Sequence, residues 1–306
     1  MVLSNQQIMG VFCAALVPGT AAMTWLWGWG VVWNLAILLC LCAVIEVLCK
    51  LLRQSPVTLT TFDVSTFVTA WLIALCLPPA TPVLVLASAA VASIALAKHV
   101  FGGAGHSLFN PAMVGYAVAL VSFPELLASW PGQAVDGYSG ATLLSEFRYR
   151  EGRTVEEFFD SQASAFSDQR FIALCFAAGG LVIWRLGLIA WRTSVGVLAG
   201  VTLCAMLGYD GGASTSYGSP YFHWYSGGLL LATFFVVTDP ATHPRGHAQQ
   251  WLFGILVGVV VFVIRAFGSY PDGIAFAVLF ANSFTPLLNR YAERRKHTPE
   301  VEANRV

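Results

Sequence analysis

The chain has 306 residues, of which 57% are hydrophobic and only 10% charged, and its sixteen basic and sixteen acidic side chains cancel. A soluble domain carries about 25% charged residues, so composition points to an integral membrane protein. Zero net charge offers no field for nucleic acid.

Apolar runs predict about ten spanning helices, each needing ~20 residues to cross the hydrocarbon. Five lie near residues 8–26, 30–50, 64–79, 82–98 and 112–130, and five near 170–188, 193–208, 225–238, 250–267 and 272–289. The expected fold is therefore all-α and polytopic. It divides into a first transmembrane half (1–130), a polar loop (131–168) and a second transmembrane half with a C-terminal tail (169–306). An odd number of spans in each half suggests two inverted five-helix halves, an arrangement common in transporters. The third, seventh and eighth spans are short and open to being broken or re-entrant.

Lys50, Arg53, Lys98, Arg185, Arg192, Arg245 and the run Arg290, Arg294, Arg295 and Lys296 fall at one side of a ten-span layout, while Trp27–Trp29, Pro78–Pro82 and Tyr209–Pro220 carry no Lys or Arg. The positive-inside rule then places both termini in the cytoplasm and the 131–168 loop outside. Gly196-x-x-x-Gly200 and Gly254-x-x-x-Gly258 read as close helix-packing motifs.

Charged groups at or inside spans are functional candidates because burying them in lipid is costly. Asp63, Asp239 and Asp272 are the ion-pathway candidates, Arg265 is placed to pair with Asp272 across the Gly268–Gly273 turn, and Glu46 reads as reaching the interface. Each also has an ordinary reading: Asp63 as a helix start, Asp239 before Pro240 as a helix-ending turn. The seven cysteines, Cys13, Cys40, Cys42, Cys49, Cys76, Cys175 and Cys204, form no C-x-x-C pair, and the six histidines are scattered. No metal site is expected. Gly103-x-Gly105-x-x-Leu108 lacks the third glycine of a dinucleotide fingerprint.

Inside the polar loop, Asp136-Gly137-Tyr138-Ser139-Gly140-Ala141-Thr142 combines small and turn-forming residues with a threonine hydroxyl. From the residues alone it is either a plain surface turn or a place that a modifying enzyme can reach.

Longer stretches resemble a known family. They are Val17-Pro18-Gly19-Thr20-Ala21-Ala22, Phe101-Gly102-Gly103-Ala104-Gly105, Phe109-Asn110-Pro111-Ala112-Met113-Val114-Gly115-Tyr116, Thr238-Asp239-Pro240 and the run from Ile264 to Leu279. In this order they resemble the RnfD (RsxD) family of the Rnf ion-translocating electron transport complexes, relatives of the NqrB component of the sodium-translocating NADH:quinone reductase. The resemblance implies a bacterial inner-membrane subunit that moves electrons between ferredoxin and NADH chemistry housed elsewhere, coupled to Na+ or H+ translocation, with catalysis only inside the complex.

It also implies that Asp136, Ser139, Gly140, Ala141 and Thr142 form a flavinylation motif with FMN joined to the Thr142 oxygen as a phosphoester. A second, non-covalent flavin, riboflavin, is implied within the membrane, with the Phe109-Asn110-Pro111 turn as its candidate. The implied partners are the other Rnf/Rsx components (RnfA, RnfB, RnfC, RnfE and RnfG), a flavin transferase during maturation, and lipid. The rival readings are a solute channel or transporter of similar fold, and a structural anchor for redox subunits. The segment between the fifth span and the flavin motif is shorter than in the relatives, and Val155–Arg170 matches them poorly.

Overall fold

The computed structural model describes residues 5–56, 63–79, 81–103, 105–131, 139–140, 142–150, 152–270 and 272–303. Helices α1 (Asn5–Trp27) and α2 (Gly30–Leu52) form a hairpin around Gly28, whose φ of 89° needs a glycine. Helix α3 (Ser65–Cys76) runs into the Leu77-Pro78-Pro79 turn. Helix α4 (Val83–Ala90) continues as a π-helix over Val91–His99. Helix α5 (Pro111–Ser122) is capped by Asn110, whose side chain accepts the Met113 amide, and α6 (Pro124–Ala128) follows.

Two residues on each side, β1 (Trp130–Pro131) and β2 (Ser139–Gly140), pair antiparallel. Helices α7 (Leu143–Arg148) and α8 (Val155–Ser161) complete the polar segment, and α9 (Ala163–Arg185) starts before its expected boundary at 169. Helix α10 (Trp191–Leu207) follows. The eighth span, expected at 225–238, is broken: α11 (Pro220–Tyr225) ends where that span should begin, and after Gly227-Gly228 come α12 (Leu229–Leu231) and a π-turn at Ala232–Val236. Helices α13 (His247–Phe267) and α14 (Ile274–Ala303) end the chain.

The protein is all-α and polytopic. Among the described residues, four helices, α1, α2, α9 and α13, are each long and apolar enough to cross a membrane, and four are apolar but shorter. Their outer faces carry exposed Leu, Val, Phe and Trp, while one continuous apolar core fills the bundle. Helix α1 packs along α9 and α5 contacts α14, so the halves meet along two seams. Exposed apolar faces with a filled interior are what lipid as the surrounding solvent selects.

The glycine motifs do pack, and against each other. A β-carbon at Gly200 would lie 2.6 Å from the Ile255 carbonyl oxygen, and one at Gly258 3.1 Å from the Gly200 α-carbon. The α10–α13 seam is therefore backbone against backbone. We expect Gly258→Val to cost about 3 kcal/mol, the upper end for overpacking. A lowered thermal midpoint of the purified assembly reads this, with Gly10→Ala, where an added methyl meets nothing within 4 Å, as the unchanged control.

Candidate functional site: a cleft beneath Thr142

The polar segment folds into a cap. Leu143, Leu144 and Phe147 of α7, Val155 and Phe158 of α8, Phe166 of α9 and Phe222 of α11 form a second small core. Phe147 and Phe222 lie 4.2 Å apart, and Phe158 is wholly buried. Arg150 binds the cap to its surroundings. Its guanidinium donates to the carbonyls of Phe147 (3.0 Å), Arg153 (3.0 Å), Ser214 (2.6 Å) and Ser216 (2.5 Å), and lies 4.4 Å from the Phe147 ring centre. Burial pushes its affinity for a proton below the usual arginine value.

Thr142 is the N-cap of α7, with extended backbone and a hydroxyl oxygen that accepts the Ser145 amide at 3.2 Å. The sequence suggests an exposed hydroxyl; the residue is half-buried instead, at the rim of a cleft of about 690 Å³ between the halves. Met23, Leu26 and Trp27 of α1, Met113 and Tyr116 of α5, and Ile274 of α14 line it, together with the first turn of α7. The rings of Trp27 and Trp130 meet edge to face at 5.1 Å along one wall. Glu146, one turn beyond Thr142, also faces the cleft, and burial raises its carboxyl above the ordinary range. Ser139 and Gly140 supply backbone to the β1–β2 pair, while Asp136 and Ala141 lie outside the described residues.

Asp272 lies in the same cleft and pairs with Arg265 at 3.2 Å, as the turn between them predicts. Its other oxygen accepts the Gly228 amide at 3.2 Å, and Arg265 also donates to the carbonyls of His223 (2.9 Å) and Ser226 (3.1 Å). The pair ties the start of α14 to the break in the eighth span. Asp272→Asn is expected to cost about 2 kcal/mol, less than a wholly buried pair because the carboxylate is partly wet. Thermal unfolding of the assembly measures the loss, and Asp272→Glu recovers part of it.

The other two acidic candidates lie elsewhere. Asp239 serves its own turn, accepting the Ala241 amide at 3.3 Å and the Thr242 hydroxyl at 3.1 Å. Asp63 accepts the Ser65 amide at 3.0 Å and the Lys98 ammonium at 2.5 Å. Glu46 does not reach the interface. It is 1% exposed and held by Lys50 (3.3 Å), Lys98 (3.2 Å), His99 (2.9 Å) and Thr66 (3.0 Å). The signal in the sequence is a charge near the end of each of two apolar spans, but Lys98 reads there only as a charge that orients the chain.

Asn110 does more than cap α5. Its amide donates to the Asn282 side-chain oxygen at 3.0 Å and its side chain to the Val236 carbonyl at 3.2 Å, tying α5 to α14 and to the π-turn.

The profile of the NQR2, RnfD, RnfE family matches residues 2–298. The chain is 38% identical to the D component of an ion-translocating oxidoreductase complex from Ectopseudomonas mendocina, with 96% of this chain and 92% of the relative covered. It is 37% identical to the protein of the same name from Pseudomonas paraeruginosa, over 96% and 92% of the two chains. Against the one from Escherichia fergusonii the identity is 33%, over 95% and 94%.

Proposed function

Because the chain belongs to the NQR2, RnfD, RnfE family, we propose that it is the membrane subunit of an ion-translocating oxidoreductase complex that carries FMN covalently on Thr142. Electron transfer between ferredoxin and NADH chemistry on neighbouring subunits would drive Na+ or H+ across the bacterial inner membrane, with the Thr142 cap outside and both termini in the cytoplasm. A flavin transferase would complete the subunit during maturation. The observation that carries this reading is the cleft whose rim is the motif threonine itself.

The residues fit such a group. Cofactor sites run from about 300 to 1,000 Å³ and are mostly apolar with a few placed polar groups. The cleft, at about 690 Å³, has an apolar and aromatic wall, with Tyr116, Glu146, Asp168, Gln169 and Asp272 among its polar points. When bound, a flavin supplies one- and two-electron redox chemistry. The chain's own residues do the rest. Thr142 is the point of attachment, α7 orients it through the N-cap, and the phenylalanine core of the cap holds α7 in place. Asp272, steadied by Arg265, sets the charge at the inner wall.

We read the seams of α1 with α9 and α5 with α14 as supporting two inverted halves that meet at this cleft. A non-covalent riboflavin within the membrane remains part of the proposal, and the described residues single out no site for it.

The test is intact-mass analysis of the denatured subunit co-produced with a flavin transferase. A mass gain of one FMN, with the modified peptide containing Thr142, supports the reading. An unmodified chain beside a demonstrably active transferase overturns it.

A further inference from the structure

At the end of the bundle opposite Thr142, an ammonium group sits where a free cation would sit. Lys98 is 2% exposed, and its three protons meet three oxygens: Thr66 Oγ1 at 2.6 Å, Asp63 Oδ2 at 2.5 Å and Glu46 Oε2 at 3.2 Å. These oxygens come from α3, the turn before it and α2, so three segments converge on one point. Two carboxylates and a hydroxyl are the hard oxygen donors that group I and II cations favour. The other charged or titratable groups around it are Lys50 and His99, both on Glu46, and Arg53, whose guanidinium donates to the His99 carbonyl at 3.1 Å.

Two further features accompany this arrangement. Lys98 is delivered by the π-helix Val91–His99, whose i to i+5 pattern persists in the Val100 amide to the Ala95 carbonyl (3.1 Å) and the Gly103 amide to the Lys98 carbonyl (3.0 Å). A π-helix inside a longer helix recurs at functional sites, and it holds an extra residue relative to α geometry. Removing that residue turns everything beyond it by about 100°. The second feature is His99, whose side chain is 8% exposed with Nε2 on Glu46 and whose Nδ1 has no partner among the described residues. A buried nitrogen left unpaired asks for an explanation, an ion or strain being among them.

We propose that Glu46, Asp63 and Thr66 form a site for a monovalent inorganic cation, that Lys98 occupies it as a tethered substitute in the present state, and that a change of Val91–His99 from π to α geometry withdraws Lys98 and opens it. The inference rests on reading the chain as a subunit that moves ions. The substitute keeps a buried carboxylate, Glu46, and a half-buried one, Asp63, from being left uncompensated whenever the mobile ion is absent. Helix α5 packs on the π-helix and also lines the cleft through Met113 and Tyr116, so one element contacts both the segment that carries Lys98 and the cleft.

The test uses the assembled complex with wild-type chain, Lys98→Met and Lys98→Met/Asp63→Asn. Thermal midpoints are taken in NaCl, LiCl and KCl against equal choline chloride. Lys98→Met should be stabilised by at least one alkali cation and not by choline, wild type should show no such difference, and the double variant should lose most of it. In proteoliposomes, ions moved per electron should fall at least tenfold in Lys98→Met. If Lys98→Met assembles only with salt, rescue by an alkali chloride and not by choline chloride counts in favour, and rescue by neither or by both counts against. A cation-insensitive Lys98→Met, or an unchanged ion-to-electron ratio, overturns the cage. A wild-type complex that moves electrons but no ions would instead remove the underlying reading.

Discussion

In a Thr142→Ala chain co-produced with the flavin transferase, covalent flavin is expected to fall to the background of a denaturing gel, and electron flux through the assembled complex with it. On the proposed attachment, the substitution removes the oxygen through which the phosphoester would form. It also removes the N-cap that receives the Ser145 amide, which costs about 1 kcal/mol. That is too little to unfold a cap held by a phenylalanine core and by Arg150. The assembly should therefore survive and show a near-normal thermal midpoint while the fluorescent band disappears. Thr142→Ser keeps both the hydroxyl and the cap and should retain flavin. A band that persists in Thr142→Ala places the attachment elsewhere, and the cleft then loses its role as a covalent site.

Arg150→Met should separate the cap from the bundle. Four carbonyls within 3.0 Å lose their donor at once. A buried acceptor left unpaired costs about 1–3 kcal/mol, and water reaching the rim of the cap relieves part of that, so about 5 kcal/mol is expected. The loss is local, because among the described residues the hydrogen bonds of Arg150 go to α7, the turn after it and the 213–216 loop. Hydrogen exchange should quicken in residues 143–149 and 213–219 and stay unchanged in α10 and α13, with flavin attachment falling in parallel. Arg150→Lys should recover less than half, since an ammonium has three donors where a guanidinium has five. Uniform exchange across the whole chain would show that the cap is not a separate unit.

Much of the fold is legible in the sequence because hydropathy reports directly on which segments lie in lipid. All ten apolar runs coincide with helical segments, and the short third and broken eighth spans are where Pro and Gly interrupt the run. The Arg265–Asp272 pair is legible too, because a seven-residue separation across a turn brings its ends together. What stays hidden depends on contacts between distant segments. Glu46 and Lys98 each sit near a span end, where a charge ordinarily reaches water, and only the packing of α2 against the π-helix shows them buried together. Asn282 lies inside an unremarkable apolar run and becomes meaningful only beside Asn110. Arg150 reads in the sequence as one of several loop charges balanced by glutamates, whereas it is carbonyl oxygens that hold it.

The Asn110–Asn282 contact joins residues 172 positions apart, so the two partners are made at very different times. The start of α5 lies among buried residues, where an amide without a partner is costly. Its partner resides in α14, so the contact can form only once the residues between them have been made and α14 has packed against α5.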